Sequence, residues 1–103
     1  LQNLFQELDS YNYDLAIIHG DLHVKNIFLT ETGSILFIDW EGVRYDDPFF
    51  DIAYSACTLT FNAEQELIYL SSYLGRTPNL AEKQHYQLCK KITVLAIYFE
   101  LLK

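Results

Sequence analysis

The stretch "IIHGDLHVKNIFLTETGSILFIDW", residues 17–40, decides how this chain is read. Two histidines, an aspartate and an asparagine fall between His19 and Asn26, bracketed on both sides by branched apolar residues. "LAII" at 15–18 and "IFLT" at 27–30 read as short buried strands. "TETGS" at 30–34 is a turn with Gly33 at its left-handed position, and "ILFI" at 35–38 is a third buried strand. The second and third strands make a tight hairpin. Its open end carries Asn26 on one side and Asp39 on the other. A neutral and a charged oxygen together suit a hard cation such as Mg2+ better than zinc.

Outward from the hairpin the pattern turns helical. Upstream, Leu1, Leu4, Phe5 and Leu8 stand at helical spacing with no cap before them, as expected of the end of a helix in a longer chain. Downstream, "FFDIAYSACTL" reads as a buried helix that starts at Pro48 or is capped by Asp51, with Asp46 and Asp47 as turn and cap residues. Asn62 and Gln65 form a capping box, Leu67, Leu70 and Leu74 a stripe, and Gly75 a stop. A last helix opens near Asn79, with Glu82 placed to complete its cap, and carries Leu88, Ile92, Leu95, Phe99 and Leu102 at helical spacing. The fold class is α+β: a short hairpin bearing a polar loop, followed by a helical subdomain.

Bulk properties narrow the function. With 103 residues, half of them apolar, the chain is one domain or a piece of one and can bury a modest core. The net charge of −7 excludes nucleic acid and anionic membrane surfaces as main partners, because phosphate backbones reward Lys and Arg. It suits a cationic substrate or a divalent metal. Cys57 and Cys89 match no metal spacing and read as free buried thiols of a reducing compartment, which makes the cytoplasm the expected location. The longest apolar run, "ITVLAIYF" at 92–99, is too short to span a bilayer.

Phosphoryl transfer needs a carboxylate to orient the attacking hydroxyl and metal ions to neutralise the nucleotide phosphates. Protein kinases meet that need with H-x-D-L-x-x-x-N, a strand pair and a second metal-binding Asp. Here the chain reads His19-Gly20-Asp21-Leu22-His23-Val24-Lys25-Asn26, then the hairpin, then Ile38-Asp39. "HGDLHVKN" followed by "ILFIDWEGVRYDDPFFDIA" resembles the catalytic segment of the aminoglycoside phosphotransferase and choline kinase superfamily. The "IDWE", "DDPFFDIA" and "YLGRTP" steps resemble its bacterial choline/ethanolamine kinase-like branch. The resemblance implies the C-terminal lobe of a protein kinase-like fold. It makes Asp21 the catalytic base, and Asn26 and Asp39 the ligands of Mg2+ and, through it, of ATP. His19 and Asp51 would support the loop. Trp40 and Glu41, beside Asp39, and His23 in the loop are candidates for the acceptor pocket, where a ring face and a carboxylate would hold a cationic headgroup.

Val24 and Lys25 depart from the small, Pro or Gly residues common in the family at those positions. Neither a Gly-rich phosphate loop nor a "VAIK"-type strand precedes the motif. The nucleotide-binding lobe is therefore expected upstream of Leu1, the isolated 103-residue chain is expected to be inactive, and its uncovered lobe face is expected to favour self-association. The partners implied are a nucleotide and a small hydroxyl compound: choline, ethanolamine, thiamine or an aminoglycoside. Two other readings compete. One is a pseudokinase or binding module that keeps the fold without turnover. The other is a zinc hydrolase using His19, Asp21 and His23, three potential ligands at period two.

Overall fold

A computed structural model describes residues 2–11 and 13–101. Leu1 and Leu102, the outermost members of the first and last helical stripes, lie outside the described residues. Helix α1 (Gln2–Asp9) leads to strand β1 (Ala16–Ile18), then to β2 (Ile27–Leu29) and β3 (Ile35–Phe37). Strand β4 (Arg44–Asp46) precedes helices α2 (Phe49–Thr58), α3 (Ala63–Leu74) and α4 (Leu80–Leu101). Single 3-10 turns at Val24–Asn26 and Trp40–Gly42 link the strands.

Local chemistry sets most of these boundaries. Gly33 closes the β2–β3 hairpin at φ 84°, where a side chain would be strained, and the register runs Ile27 with Phe37 to Leu29 with Ile35. The Asn62 side chain accepts from Gln65 N while the Gln65 amide oxygen accepts from Asn62 N, both at 2.9 Å. Gly75 ends α3 in the left-handed conformation. Asn79 and Glu82 repeat the box at the start of α4, at 2.8 and 2.9 Å. Each pairing satisfies backbone donors that a helix start leaves open.

The core lies where α2 crosses α4, with Leu8 of α1 and Leu70 of α3 closing it around Phe49, Ile52, Ala53, Cys89 and Ile92. This layer removes one face of each helix from water, at about 25 cal/mol for each Å² of apolar surface.

Three expectations need correction. The strands are not all buried: in β1 only Ile18 is, Ile17 is 76% exposed, and the hairpin is open from Phe28 to Phe37, Leu29 at 76%. A two-stranded ribbon has two faces, and no layer within the described residues covers these. A fourth strand also exists. "RYD" at 44–46 pairs antiparallel with β1, Ile17 opposite Tyr45, although its polar, three-residue pattern carries no strand signal. Finally, α2 is not capped by Asp51. Asp47 accepts from Phe49 N at 2.9 Å, and the Asp51 carboxylate points elsewhere.

Candidate active site

Asp51 sits in the first turn of α2 and turns its carboxylate toward the loop after β1. Its Oδ2 accepts from His19 N at 2.7 Å and its Oδ1 from Gly20 N at 3.0 Å. Two adjacent peptide groups are thus held by one anion, the stronger charge-assisted kind of hydrogen bond. Gly20 adopts φ 86°, and a Cβ there would meet Gly42 O at 2.2 Å and Arg44 Nη1 at 2.7 Å. The loop therefore crosses the 40–42 turn at a spacing only glycine permits.

His19 is buried and both its ring nitrogens are engaged. Nδ1 accepts from Asp21 N at 3.2 Å, so Nε2 carries the proton and donates to Ile38 O at 2.7 Å. The ring thereby bridges the peptide of Asp21 and the peptide that adjoins Asp39. Asn26 adds a second link: its Nδ2 donates to Asp21 O at 2.9 Å, and its own carbonyl accepts from Ile38 N at 3.0 Å. With the amide nitrogen committed, Oδ1 is the end of Asn26 left for a cation. Asp39 stands at φ 61°, ψ 69°, a left-handed conformation that costs a non-glycine residue about 1–3 kcal/mol and collects at functional sites. Among the described residues no group donates to its carboxylate. A neutral and an anionic oxygen, neither spent on the protein, fit a hard divalent cation.

A cavity of about 530 Å³ opens beside Asp21. It is lined by Gly20, Asp21, His23, Tyr54, Thr58 and the end of α4 at Ala96, Ile97 and Glu100. Trp40 and Glu41 do not line it. The Trp40 ring lies on His19, centroids 4.6 Å apart, and its Nε1 donates to Phe37 O at 3.0 Å. The zinc reading fails on the same geometry, because both ring nitrogens of His19 are engaged and the three-ligand set loses one member. Among the described residues, the ligand atoms that do cluster are those of Asp47, His85 and Cys89, within 4.8 Å of one another.

The family model described as the phosphotransferase enzyme family matches residues 1–86. The chain belongs to the phosphotransferase enzyme family. It is similar to protein LicA of Haemophilus influenzae, 30% identical over 93 residues that cover 88% of this chain and 27% of that protein. The crystal structure of a choline/ethanolamine kinase family protein from Mesorhizobium loti superposes with a TM-score of 0.77 at 25% identity, over 86% of this chain and 30% of that one. An ethanolamine kinase of Plasmodium vivax superposes at 0.71 with 26% identity, over 89% of this chain and 29% of that one. The chain thus spans about 27–30% of the length of these relatives. The kinase-like α+β fold is the one these phosphotransferase relatives share.

Sequence reasoning missed three side chains of this phosphotransferase segment. Tyr54 lines the cavity together with Asp21, and its pKa is raised by burial first and then by the charge of Asp21. Asp47 is fully buried. Its Oδ2 takes His85 Nε2 at 2.6 Å and Cys89 Sγ at 3.4 Å, tying the start of α2 to α4. Burial, then the Asp47 charge, pushes the Cys89 thiol far up and leaves it inert. Glu66 is also buried, bound to Tyr86 Oη at 2.6 Å and Lys90 Nζ at 2.7 Å. The i, i+3 spacing of Asp51 and Tyr54 was the available signal for the first. Asp47 was legible only as a cap through Phe49 N; its bonds to His85 and Cys89, and those of Glu66, span 20 residues or more and leave no local trace.

Proposed function

We propose that this chain is the catalytic and acceptor-binding part of a small-molecule kinase. It moves the γ-phosphoryl group of ATP, with Mg2+, to the hydroxyl of a small cationic alcohol, choline or ethanolamine foremost. The observation that carries the reading is the His19 bridge, with one ring joining the Asp21 peptide to the Ile38 carbonyl beside Asp39. It ties the Asp21 peptide to the peptide preceding Asp39 through two directional bonds of a buried ring. A surface loop with no chemistry to perform does not need that coupling. The names of the relatives and the net charge of −7 support a cationic acceptor.

In this mechanism Asp21 accepts a hydrogen bond from the acceptor hydroxyl, orients its oxygen and takes its proton as the new P–O bond forms and ADP leaves. His19 and Asn26 hold the Asp21 peptide from both sides, and Asp51 holds the two residues before it. Asn26 Oδ1 and the Asp39 carboxylate would hold Mg2+. When bound, that ion neutralises charge on the nucleotide phosphates. The side cavity with His23 and Tyr54 receives the acceptor.

The test is ADP release by the protein at its full natural length with Mg·ATP, against choline, ethanolamine, thiamine and several aminoglycosides. Release that depends on one acceptor and falls by roughly 10²–10⁴-fold in Asp21→Asn is the expected result. A folded protein that binds ATP yet releases no ADP with any acceptor overturns the reading in favour of a binding module.

A further inference from the structure

We infer that Tyr54 is a positioning residue for Asp21, its hydroxyl holding the Asp21 carboxylate in one orientation toward the acceptor cavity. The inference rests on the phosphotransfer reading above and adds a residue to it. The backbone of Asp21 is fixed on both sides. Its N–H goes to His19 Nδ1, and its carbonyl accepts from Asn26 Nδ2 and from His23 N at 2.7 Å. None of those bonds reaches the carboxylate, which is free to turn about its own side-chain torsions unless another group stops it.

Helix α2 supplies that group. Asp51, Tyr54 and Thr58 follow one another at i, i+3 and i+7, so they share a face. Asp51 grips the loop peptides, while Tyr54 and Thr58 line the cavity with Asp21. Tyr54 also lines a second cavity of about 290 Å³ behind the loop, shared with Gly20, Asp51 and Ala96, so its ring stands in the wall between the two. The His23 ring flanks it at 6.4 Å. A phenol kept neutral beside a carboxylate acts as a donor at every pH where the enzyme would work.

The experiment uses the full-length protein with Mg·ATP and choline or ethanolamine, comparing Tyr54→Phe, Tyr54→Leu, Asp21→Asn and Asp21→Asn with Tyr54→Phe. Loss of one charge-assisted hydrogen bond predicts a roughly 10- to 100-fold fall in kcat for Tyr54→Phe. Both KM values should change little, and the substitution should have no further effect in the Asp21→Asn background. Two results overturn the inference and spare the phosphotransfer reading. One is a Phe variant with wild-type kcat while Leu raises the acceptor KM, which makes the ring a substrate contact. The other is an equal Phe effect with and without Asp21, which makes the role structural. Unchanged turnover in Asp21→Asn overturns the phosphotransfer reading itself, and this inference with it.

Discussion

Replacing Asp47 by alanine tests what holds the helical layer to the loop. The carboxylate is fully buried and accepts from Phe49 N at 2.9 Å, His85 Nε2 at 2.6 Å and Cys89 Sγ at 3.4 Å. Alanine leaves two strong donors without a partner. The imidazole N–H would be stranded in a stack with Phe49, Tyr13 and Tyr11, centroids at 4.3, 4.8 and 5.3 Å, where water has little room to replace the lost oxygen. Each unsatisfied buried donor costs about 1–3 kcal/mol, and the thiol adds little, so the sum is about 2–6 kcal/mol. Against a total stability of about 5–15 kcal/mol for a domain, that is a large share. With a urea slope of about 2 kcal/mol/M, the midpoint should fall by about 2 M. Asp47→Asn should cost less. Its Oδ1 can still cap Phe49, and its amide can face a His85 ring that moves its proton to Nδ1. A midpoint shift under about 0.5 M for alanine, or a larger loss for asparagine than for alanine, would refute the reasoning.

Three further substitutions have expected outcomes. Arg76 grips Glu82 through two hydrogen bonds at 2.7 and 2.6 Å, and Asn79 N adds a third, lowering the Glu82 carboxyl from 4.5 to about 2. A depressed folded-state value means this contribution to stability is complete above about 4.5 and is lost as pH falls toward 2. Urea midpoints measured across that window should fall less steeply in Glu82→Gln than in the parent. An equal slope in both would remove Glu82 from the account. Gly20→Ala drives a Cβ to 2.2 Å from Gly42 O. Displacement of the loop should cut the kcat of the proposed phosphotransfer by the full-length protein by about 10²-fold. Gly33→Ala, with nothing within 4 Å, should cost only the strain of its backbone, about 1–2 kcal/mol. Wild-type kinetics in Gly20→Ala would show that the loop does not depend on this approach.

The parts of the fold that were legible in the sequence are those whose causes lie within a few residues. The boxes at Asn62 and Asn79, the turn at Gly33 and the stop at Gly75 are each decided by groups three or four positions apart. The loop from His19 to Asn26 was legible for a related reason: a fixed spacing of unlike polar types has few structural explanations. Burial was not legible. Leu29 and Ile35 are as apolar as Ile52, yet they face solvent, because a strand's hydrophobicity says that a cover is wanted and not whether one is present. Leu67 and Glu66 make the same point on α3, where the leucine is 42% exposed and the glutamate buried. The exchange is stabilised by Tyr86 and Lys90 of α4, partners that no local pattern announces. Asp47 read as a turn and cap residue and does accept from Phe49 N, but its contacts with His85 and Cys89 lie about forty positions away and left no local signal.

Two of the missed residues, Asp47 and Tyr54, lie with the expected Asp51 in one short run. Asp47 binds the core of α4, Asp51 binds the loop backbone, and Tyr54 lines the cavity beside Asp21. One helix start therefore links the buried layer to the loop after β1, through Asp47 on α4 and Asp51 on the loop backbone. The strained conformation of Asp39 requires a rigid surround, because a residue at positive φ relaxes unless its neighbours over-determine it. His19 provides that surround through Ile38, and His19 is itself held by Asp51. Loosening α2 should accordingly relax Asp39 without any contact between the two. Of the three aspartates in "DDPFFDIAY", Asp51 holds the loop, Asp47 holds α4, and Asp46 pairs with Arg44 at 2.9 Å.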